Sequence, residues 1–578
     1  MPIHILSTEV SSKIAAGEVI ERPASLVKEL VENSIDAGAT QIIIEARGGG
    51  IKYIRVSDNG TGITAIDTQQ IFQRYATSKI SNAADLETIQ TLGFRGEALH
   101  SIAAVSEVQI ITCAVNEEAG SRLLVKNGII IERGNHSCPQ GTIVTVRELF
   151  HRVPARLKFL KSPVTENEHI LAVVSRISLA FPEIRFTLFL DDRAVWRTSG
   201  NGNLRDVIIS LYGLEPAKAM LAVGTNQSDD KKNSQLQPIV AGLISPSEIS
   251  RASRRYTNFF VNRRSIRSAL LTRAVEEGYR GFLMTGRYPL AVISVSVPQE
   301  AIDVNVHPTK SEVRFSNEPA IFSAVQKAVH QTLIESGQVK VSDITQHNNL
   351  ESPTQQNNST SAMVNVPEIP FSPEFLPRSE QPGTVPILRV VGQIANCYII
   401  AEGKDGLYLI DQHAAHERVI FEKIMKERQQ KNMEIQGLLE PITFEFNAQQ
   451  EILFKRYQEM FLLFGFTIEP FGKRSYLVRA IPVTLQQTEA AQVIREVLDL
   501  LDDSTSLKKR EEQIAISIAC HGVVRAGQVL SQEEMKNLVR KLEQTEIPRT
   551  CPHGRPTMIH ISSLQLAKEF GRSTFNSH

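Results

Sequence analysis

Glu29, Asn33 and Asp36 stand at i, i+4 and i+7 of one run, Glu29-Leu30-Val31-Glu32-Asn33-Ser34-Ile35-Asp36-Ala37-Gly38-Ala39-Thr40. On a helix that spacing sets a carboxylate, an amide oxygen and a second carboxylate on one face. Oxygens so placed suit a hard cation such as magnesium, or a water that must give up a proton. The same spacing also fits the solvated face of an ordinary amphipathic helix. Asp58 lies in Ser57-Asp58-Asn59-Gly60-Thr61-Gly62-Ile63. An ionised carboxylate there accepts hydrogen bonds and can read an exocyclic amine; a plain Asp-Asn-Gly turn is the other reading. Gly93-Phe94-Arg95-Gly96-Glu97 is a glycine-bearing loop feeding a helix start. Free N–H groups and the helix dipole favour an anion at such a place. It is not a P-loop, because no GxxxxGK run followed by Ser or Thr occurs.

A second group stands far downstream. Asp411-Gln412-His413-Ala414-Ala415-His416-Glu417 continues to Glu422, and Cys520-His521 and Cys551-Pro552-His553-Gly554 follow. His413 and Glu417 share a helix face at i, i+4. Thiolate and imidazole ligands suit zinc, and carboxylates suit manganese or magnesium. Buried cysteines and satisfied histidines are the alternative. A third group is cationic: Arg251, Arg254, Arg255, Arg263, Arg264 and Arg267 form a dense cluster. Such a cluster fits a phosphate backbone, or else a charged edge strand that resists aggregation. Arg152, Arg156, Lys158 and Lys161 form a weaker one. Neither cluster has base-reading features, so binding without sequence preference is expected.

The elements that must position these groups are legible. Leu26, Val27, Leu30, Val31 and Ile35 make an apolar stripe over Ser25 to Ile35. Pro23 suits the helix start and Gly38 its end. Strands are expected at Gln41–Ala46, Tyr53–Val56, Gly141–Val146, Tyr256–Val261 and Leu407–Ile410. A helix is expected to begin near Glu97 and another to run from Asp411 to Glu422.

The totals set limits. A chain of 578 residues exceeds one core, so about three or four domains are expected. Charge balances at 63 basic and 63 acidic residues, so attraction to nucleic acid must be local. No secretory signal or membrane span is read from the sequence. The five cysteines are scattered, which argues against a disulfide framework and for a reducing compartment. Residues 336–385 are rich in Gln, Asn, Ser, Thr and Pro and read as a flexible linker.

The order of Glu29/Asn33, Asp58 to Gly62, Gly93 to Leu99 and Gly141-Thr142 resembles the four motifs of the GHKL ATPases. Within that group, Ile14 to Ile20, Glu29 to Thr40, Ala76-Thr77-Ser78-Lys79 and Gly93 to Leu99 resemble the MutL family of DNA mismatch-repair proteins. The resemblance covers nearly the whole chain outside the linker. It implies an α+β multidomain chain. Residues 1–213 would be a Bergerat (GHKL) α/β-sandwich ATPase domain, and 214–335 a transducer domain like ribosomal protein S5 domain 2. The disordered linker would span 336–385, and a mixed α/β dimerisation and endonuclease domain 386–578. Glu29 would be the general base, Asn33 the magnesium ligand and Asp58 the acceptor from the adenine amine. Gly62 and Thr142 would line the adenine pocket. Thr77, Ser78, Gly93, Phe94, Arg95 and Gly96 would cover the phosphates of ATP, and Lys310 would reach the γ-phosphate.

Downstream, Asp411 to Glu422 fits the family's endonuclease signature, with Cys520-His521, Cys551 to Gly554 and Phe570-Gly571-Arg572 as its companions. The implied metal residues are Asp411, His413, Glu417, Cys520, Cys551 and His553, holding zinc, with manganese for nicking. Asp411 is the first choice to position a catalytic ion, with His521 and Glu422 behind the ligands. Gln436, Leu438, Leu439 and Pro441 fit the sliding-clamp-binding motif. Arg254, Arg255, Arg263, Arg264 and Arg267 would contact double- and single-stranded DNA. The implied assembly is a homodimer that works with MutS and the replication sliding clamp in the bacterial cytoplasm, at the nucleoid and away from membranes. The rival reading is an ATPase matchmaker with a structural zinc and no nuclease activity.

Overall fold

The computed structural model of the chain describes residues 20–79, 91–93, 96–126, 128–224, 238–284, 286–303, 313–337, 386–501, 506–522 and 529–570. Two compact units result, Met1–Thr345 with Phe446–Arg456, and Gln346–Glu445 with Tyr457–His578.

The first unit opens on the helix Pro23–Asp36. Pro23 stands in its first turn, where a missing N–H leaves no bond unmade. At the other end the Gly38 N–H reaches the Ile35 carbonyl and the Ala39 N–H reaches that of Ser34. That paired closure is a Schellman stop. The stripe Leu26, Val27, Leu30 and Val31 is buried on the sheet below. Cutting Leu30 to alanine there costs about 2–5 kcal/mol.

That sheet has eight strands in the order β5-β4-β3-β6-β2-β1-β7-β8. They are β1 (Gln41–Arg47), β2 (Tyr53–Asp58), β3 (Glu107–Cys113), β4 (Gly120–Lys126), β5 (Ile129–His136), β6 (Gly141–Arg147), β7 (Arg185–Leu190) and β8 (Arg193–Arg197). Only the β1–β7 pair is parallel, so the sheet is mixed. The helices Pro23–Asp36 and Pro163–Ala180 contribute to its core, facing Ile42, Ile44, Ile54 and Ile110. The register Asp58↔Thr142 brings the end of β2 against the start of β6.

A second sheet follows, ordered β13-β12-β15-β10-β9. Its strands are β9 (Leu221–Gly224), β10 (Ile239–Ile244), β12 (Thr257–Val261), β13 (Arg264–Ile266) and β15 (Ala291–Ser296), while β11 (Ser250–Arg251) pairs with β14 (Tyr288–Pro289). Both faces are covered. Tyr256, Phe260 and Val292 join the core of the eight-stranded layer, whereas Phe259, Val261, Ile293 and Val295 pack with the helices Ala269–Gly278 and Glu318–Glu335. Double-sided burial makes Phe259-Phe260-Val261 an unbroken apolar run, where the sequence reading looks for alternation. The short strands β16 (Ile302–Asp303) and β17 (Arg314–Phe315) lead into the helix Glu318–Glu335.

In the second unit β18 (Arg389–Ile394), β19 (Tyr398–Gly403), β20 (Gly406–Asp411) and β24 (Met558–Ser562) form an antiparallel sheet in the order β18-β19-β20-β24. Ile399, Ala401, Tyr408 and Ile410 pack against Ala415 of the helix Gln412–Gln429 and against Leu538 and Leu542 of the helix Gln532–Glu543. A second sheet, β21-β23-β22, joins β21 (Ile435–Glu445), β22 (Thr467–Pro470) and β23 (Ser475–Pro482). The helices Ala490–Leu500 and Leu507–His521 follow, with Cys520 and His521 at the end of the second.

Candidate nucleotide and metal sites

The first helix forms one wall of a cavity of about 1450 Å³. Glu29, Asn33, Asp36, Asp58, Gly62, Thr77, Ser78, Gly93, Gly96 and Thr142 all line it. Ten of the sequence-selected residues therefore share one space. Phe94, Arg95 and Lys310 lie outside the described residues, as do Ile14 to Val19 and the linker from 338 to 385.

Asp58 ends β2 and is held from two sides. Its Oδ2 accepts from the Ser34 hydroxyl at 2.7 Å. Its Oδ1 accepts from the N–H groups of Gly60 at 2.9 Å and Thr142 at 3.3 Å. Burial pushes the Asp58 carboxyl up from its ordinary value, and these hydrogen bonds pull it partly back. Gly62 has φ +73°, and a Cβ there would lie 2.0 Å from the carbonyl oxygen of Cys113. No side chain fits that approach. Thr112 accepts from the Ile63 N–H at 2.8 Å and lies 3.0 Å from the Thr142 hydroxyl. No sequence motif marks Ser34 or Thr112; each meets a partner distant along the chain.

The far end of the helix is cationic. Lys79 Nζ donates to Asn33 Oδ1 at 2.9 Å and to Asp36 Oδ2 at 2.6 Å. The N–H groups of Leu92 and Gly93 donate to Asp36 Oδ1 and Oδ2 at 2.9 and 3.0 Å. Asp36 does more than shape the helix end: it gathers Lys79 and the 91–93 loop onto the helix that carries Glu29 and Asn33. Gly96, at φ +62°, packs its backbone against Ala76, where a Cβ would meet the carbonyl at 2.6 Å. The oxygens of Asn33, Asp36 and Glu29 form a hard donor set, and two of these residues, Asn33 and Asp36, already accept from the Lys79 ammonium. That chemistry fits magnesium beside a nucleotide.

The arginine cluster is less uniform than its sequence suggests. Arg254 pairs with Glu276 at 2.6 Å. Arg263 is an ion-pair partner of Glu183 and lies over the Phe181 ring. Arg264 donates to the carbonyl of Thr91 at 2.5 Å. Arg267 is exposed and Arg255 half-buried. Dense cations in the sequence are thus partly structural, because their acceptors come from other segments.

In the second unit Asp411 is the N-cap of the helix Gln412–Gln429, its carboxylate accepting from the Ala414 N–H at 2.9 Å. Two turns later the buried Glu417 meets His413 Nε2 at 3.3 Å and His553 Nδ1 at 3.5 Å. His553 Nε2 lies 3.5 Å from Cys520 Sγ. One ligand atom each from Glu417, Cys520 and His553 falls within 4.8 Å of the others. Burial opposes ionisation of Glu417, yet the two histidines hold its carboxyl well below the usual carboxylate range. Burial, with Glu417 and Glu496 nearby, pushes the Cys520 thiol up. Sulfur, imidazole and carboxylate at this separation are a donor set that suits zinc, and it is the bound cation that would stabilise the thiolate. Cys551 is buried, with its N–H bound to the Arg555 carbonyl. Neither it nor Asp411 belongs to that trio.

His521 lies between two carboxylates, 3.2 Å from Glu489 and 2.7 Å from Glu496. Burial disfavours its cation, but the pair raises its pKa overall. No motif marks either glutamate in the sequence. Glu422 accepts from the N–H groups of Glu546 and Ile547 at 2.7 and 3.2 Å, fixing the loop that leads to Cys551. Gln436, Leu438, Leu439 and Pro441 lie on β21, whose pairing with β23 breaks between Gly437 and Ile442. The side chain of Leu439 is fully exposed there. Phe570 is described and exposed; Gly571 and Arg572 lie outside the described residues.

Three family models match the chain. The histidine kinase-, DNA gyrase B- and HSP90-like ATPase model covers residues 21–140. The DNA mismatch repair protein C-terminal domain covers 208–334. The MutL C terminal dimerisation domain covers 391–530. The DNA mismatch repair protein MutL of Symbiobacterium thermophilum is 36% identical, over 99% of this chain and 100% of that protein. The MutL of Exiguobacterium sp. is 37% identical, over 99% of each. Among solved structures, the N-terminal domain of a DNA repair protein is similar at 28% identity and TM-score 0.49, covering 56% of this chain and 98% of that one. The Aquifex aeolicus MutL ATPase domain with ADP aligns at 26% identity and TM-score 0.37, covering 48% and 93%. No helix among the described residues is long and apolar enough to cross a membrane.

Proposed function

This chain belongs to the MutL family of DNA mismatch repair proteins, and we propose that within it the chain is an ATP-gated endonuclease that nicks the strand to be repaired. Its mismatch-repair role, its GHKL-type ATPase domain and its C-terminal dimerisation domain are the premise. The rest is built from the two sites.

At the first site Asp58 accepts from the adenine amine, with Gly62 and Thr142 against the base. Glu29 takes the proton from the attacking water, a role that suits a half-buried carboxylate on a rigid helix. Asn33 would hold magnesium, which neutralises phosphate charge. Thr77, Ser78, Gly93 and Gly96 would face the phosphates; for Phe94, Arg95 and Lys310, outside the described residues, the phosphate role is what the family resemblance implies. ATP binding drives N-terminal dimerisation around DNA, provided that ATP binds the closed state more tightly than the open one. Arg267, exposed at the end of the cluster, is the member retained for the DNA backbone.

At the second site Glu417, Cys520 and His553 would hold zinc, with manganese as the ion that supports nicking. An ion there supplies Lewis-acid stabilisation of phosphodiester charge. Asp411, at the rim of the same helix, positions the reacting groups, and His413 and Cys551 flank them. The exposed Leu439 and its neighbours Gln436, Leu438 and Pro441 would dock on the sliding clamp. MutS supplies mismatch recognition. The protein would act on DNA in the bacterial cytoplasm.

The observation that carries the nuclease half is the convergence of Glu417, Cys520 and His553 from three separate segments. The competing reading, a matchmaker with a structural zinc, is favoured by the commitment of Asp411 to a helix cap. Nicking of closed-circular DNA with manganese separates them. Wild type should nick well above Asp411→Asn; equal rates would leave the matchmaker.

A further inference from the structure

The sequence assigns Arg264 to DNA, but its guanidinium points into the chain. It stands at the start of β13, after the two-residue turn Asn262-Arg263. That turn is firmly held. Asn262 exchanges hydrogen bonds with Val297, donating at 2.9 Å and accepting at 3.0 Å, and Arg263 lies over Phe181. The hairpin therefore aims Arg264 at the edge of the nucleotide cavity. Its Nη2 donates to the Thr91 carbonyl at 2.5 Å.

Thr91 immediately precedes the two residues that hold Asp36. Leu92 and Gly93 donate to the two oxygens of that carboxylate, and its Oδ2 also takes Lys79, which reaches Asn33. Charge completes the link. Burial weakens the Arg264 cation, while Glu32 and Asp36, both on the first helix, support it. Five-stranded sheet, loop and helix are thus joined by short polar contacts over a shared apolar core.

We infer that Arg264 is a positioning residue of the ATPase: through the Thr91 carbonyl it fixes the 91–93 loop, and through that loop Asp36 and the Asn33 face of the cavity. The inference rests on the cavity being the ATP site. It makes the five-stranded sheet a lever on hydrolysis, since any shift of the β12–β13 hairpin pulls directly on the loop.

The test is steady-state ATPase of the full chain without DNA. Arg264→Gln removes a charge-assisted hydrogen bond, so kcat/KM for ATP should fall about tenfold. Arg264→Lys keeps a donor and should recover most of the loss, which a general packing defect would not allow. A cycle with Asp36→Asn should be clearly non-additive, because both changes release one loop. The salt slope of DNA binding should stay at the wild-type value in Arg264→Gln. The inference is overturned if Arg264→Gln turns over ATP within about twofold of wild type, if its salt slope drops by about one instead, or if the two changes multiply independently. Glu29→Ala runs as the control: turnover that survives it would sink the ATP-site reading itself, separately from the role of Arg264.

Discussion

Lys79 bridges Asp36 and Asn33, its ammonium 2.6 Å from the carboxylate of one and 2.9 Å from the amide oxygen of the other. A cation of the chain itself thus rests on the oxygen that the functional reading gives to magnesium. Asp36 makes this possible, for it lends charge to a position where Asn33 alone offers a dipole. The arrangement ties the segment just before residue 80 to the loop just after residue 90, both through one carboxylate.

For magnesium to take the Asn33 oxygen, Lys79 must release it. Lys79→Met should therefore lower the magnesium concentration needed for half-maximal ATPase, by about tenfold if a single hydrogen bond to a charge is lost. Titration of activity with magnesium at saturating ATP reads this directly. A raised KM for ATP with an unchanged magnesium requirement would assign Lys79 to the phosphates instead.

Glu29 stands one helical turn before Asn33, on the cavity wall. If it removes the proton of the attacking water, Glu29→Ala should cut kcat by about 100-fold or more. ATP affinity and ATP-dependent N-terminal dimerisation should persist, because neither needs the base. Equilibrium nucleotide binding and sedimentation in the presence of ATP measure both. Loss of binding along with turnover would make Glu29 a binding residue.

Much of this architecture is local in origin and was legible for that reason. The first helix is expected over Ser25 to Ile35 and found over Pro23–Asp36, since stripe, proline and glycine all lie within it. The helix after Asp411 runs on to Gln429, beyond Glu422, because its later turns continue the same packing. Asp58, Gly62 and Thr142 converge as their motifs imply. What stayed hidden depends on tertiary register. Ser34 meets Asp58 only because β2 passes beneath the helix, and His521 meets Glu489 and Glu496 only because two helices lie side by side. The arginines show the same limit: a count of cations along the chain takes no account of Glu276, Glu183 or the Thr91 carbonyl.

Asp58 gives the nucleotide site a pH dependence of definite sign. Where Asp58 reads the adenine amine, its ionised form is the stronger acceptor. Burial raises its pKa, so the folded site binds a proton more readily than an exposed aspartate, whose midpoint is about 3.9. ATP affinity should then weaken, as pH falls, above that ordinary range. Folding stability from this group runs the other way: a raised folded pKa means its contribution grows as pH falls through that value. Ser34→Ala removes a hydrogen bond to the ionised form and should move the affinity midpoint higher still. ATP titrations across acidic pH decide it, and a midpoint that drops in Ser34→Ala would contradict the assignment.

The metal trio and Asp411 should come apart under mutation. Asp411 caps its helix, and asparagine caps as well as aspartate, whereas alanine there costs about 1 kcal/mol. Asp411→Asn should thus keep the thermal midpoint of wild type, while Asp411→Ala should lower it. Glu417, Cys520 and His553 do not need Asp411 to meet, so Asp411→Asn should also retain bound zinc after dialysis. Cys520→Ser removes the only sulfur of the trio and should lose most of that zinc. Nicking should then fail in both variants, in one with the metal present and in the other with it gone. Metal analysis beside the nicking assay reads all four quantities. Zinc lost from Asp411→Asn would place Asp411 among the ligands, and full nicking by zinc-depleted Cys520→Ser would remove the trio from the reaction.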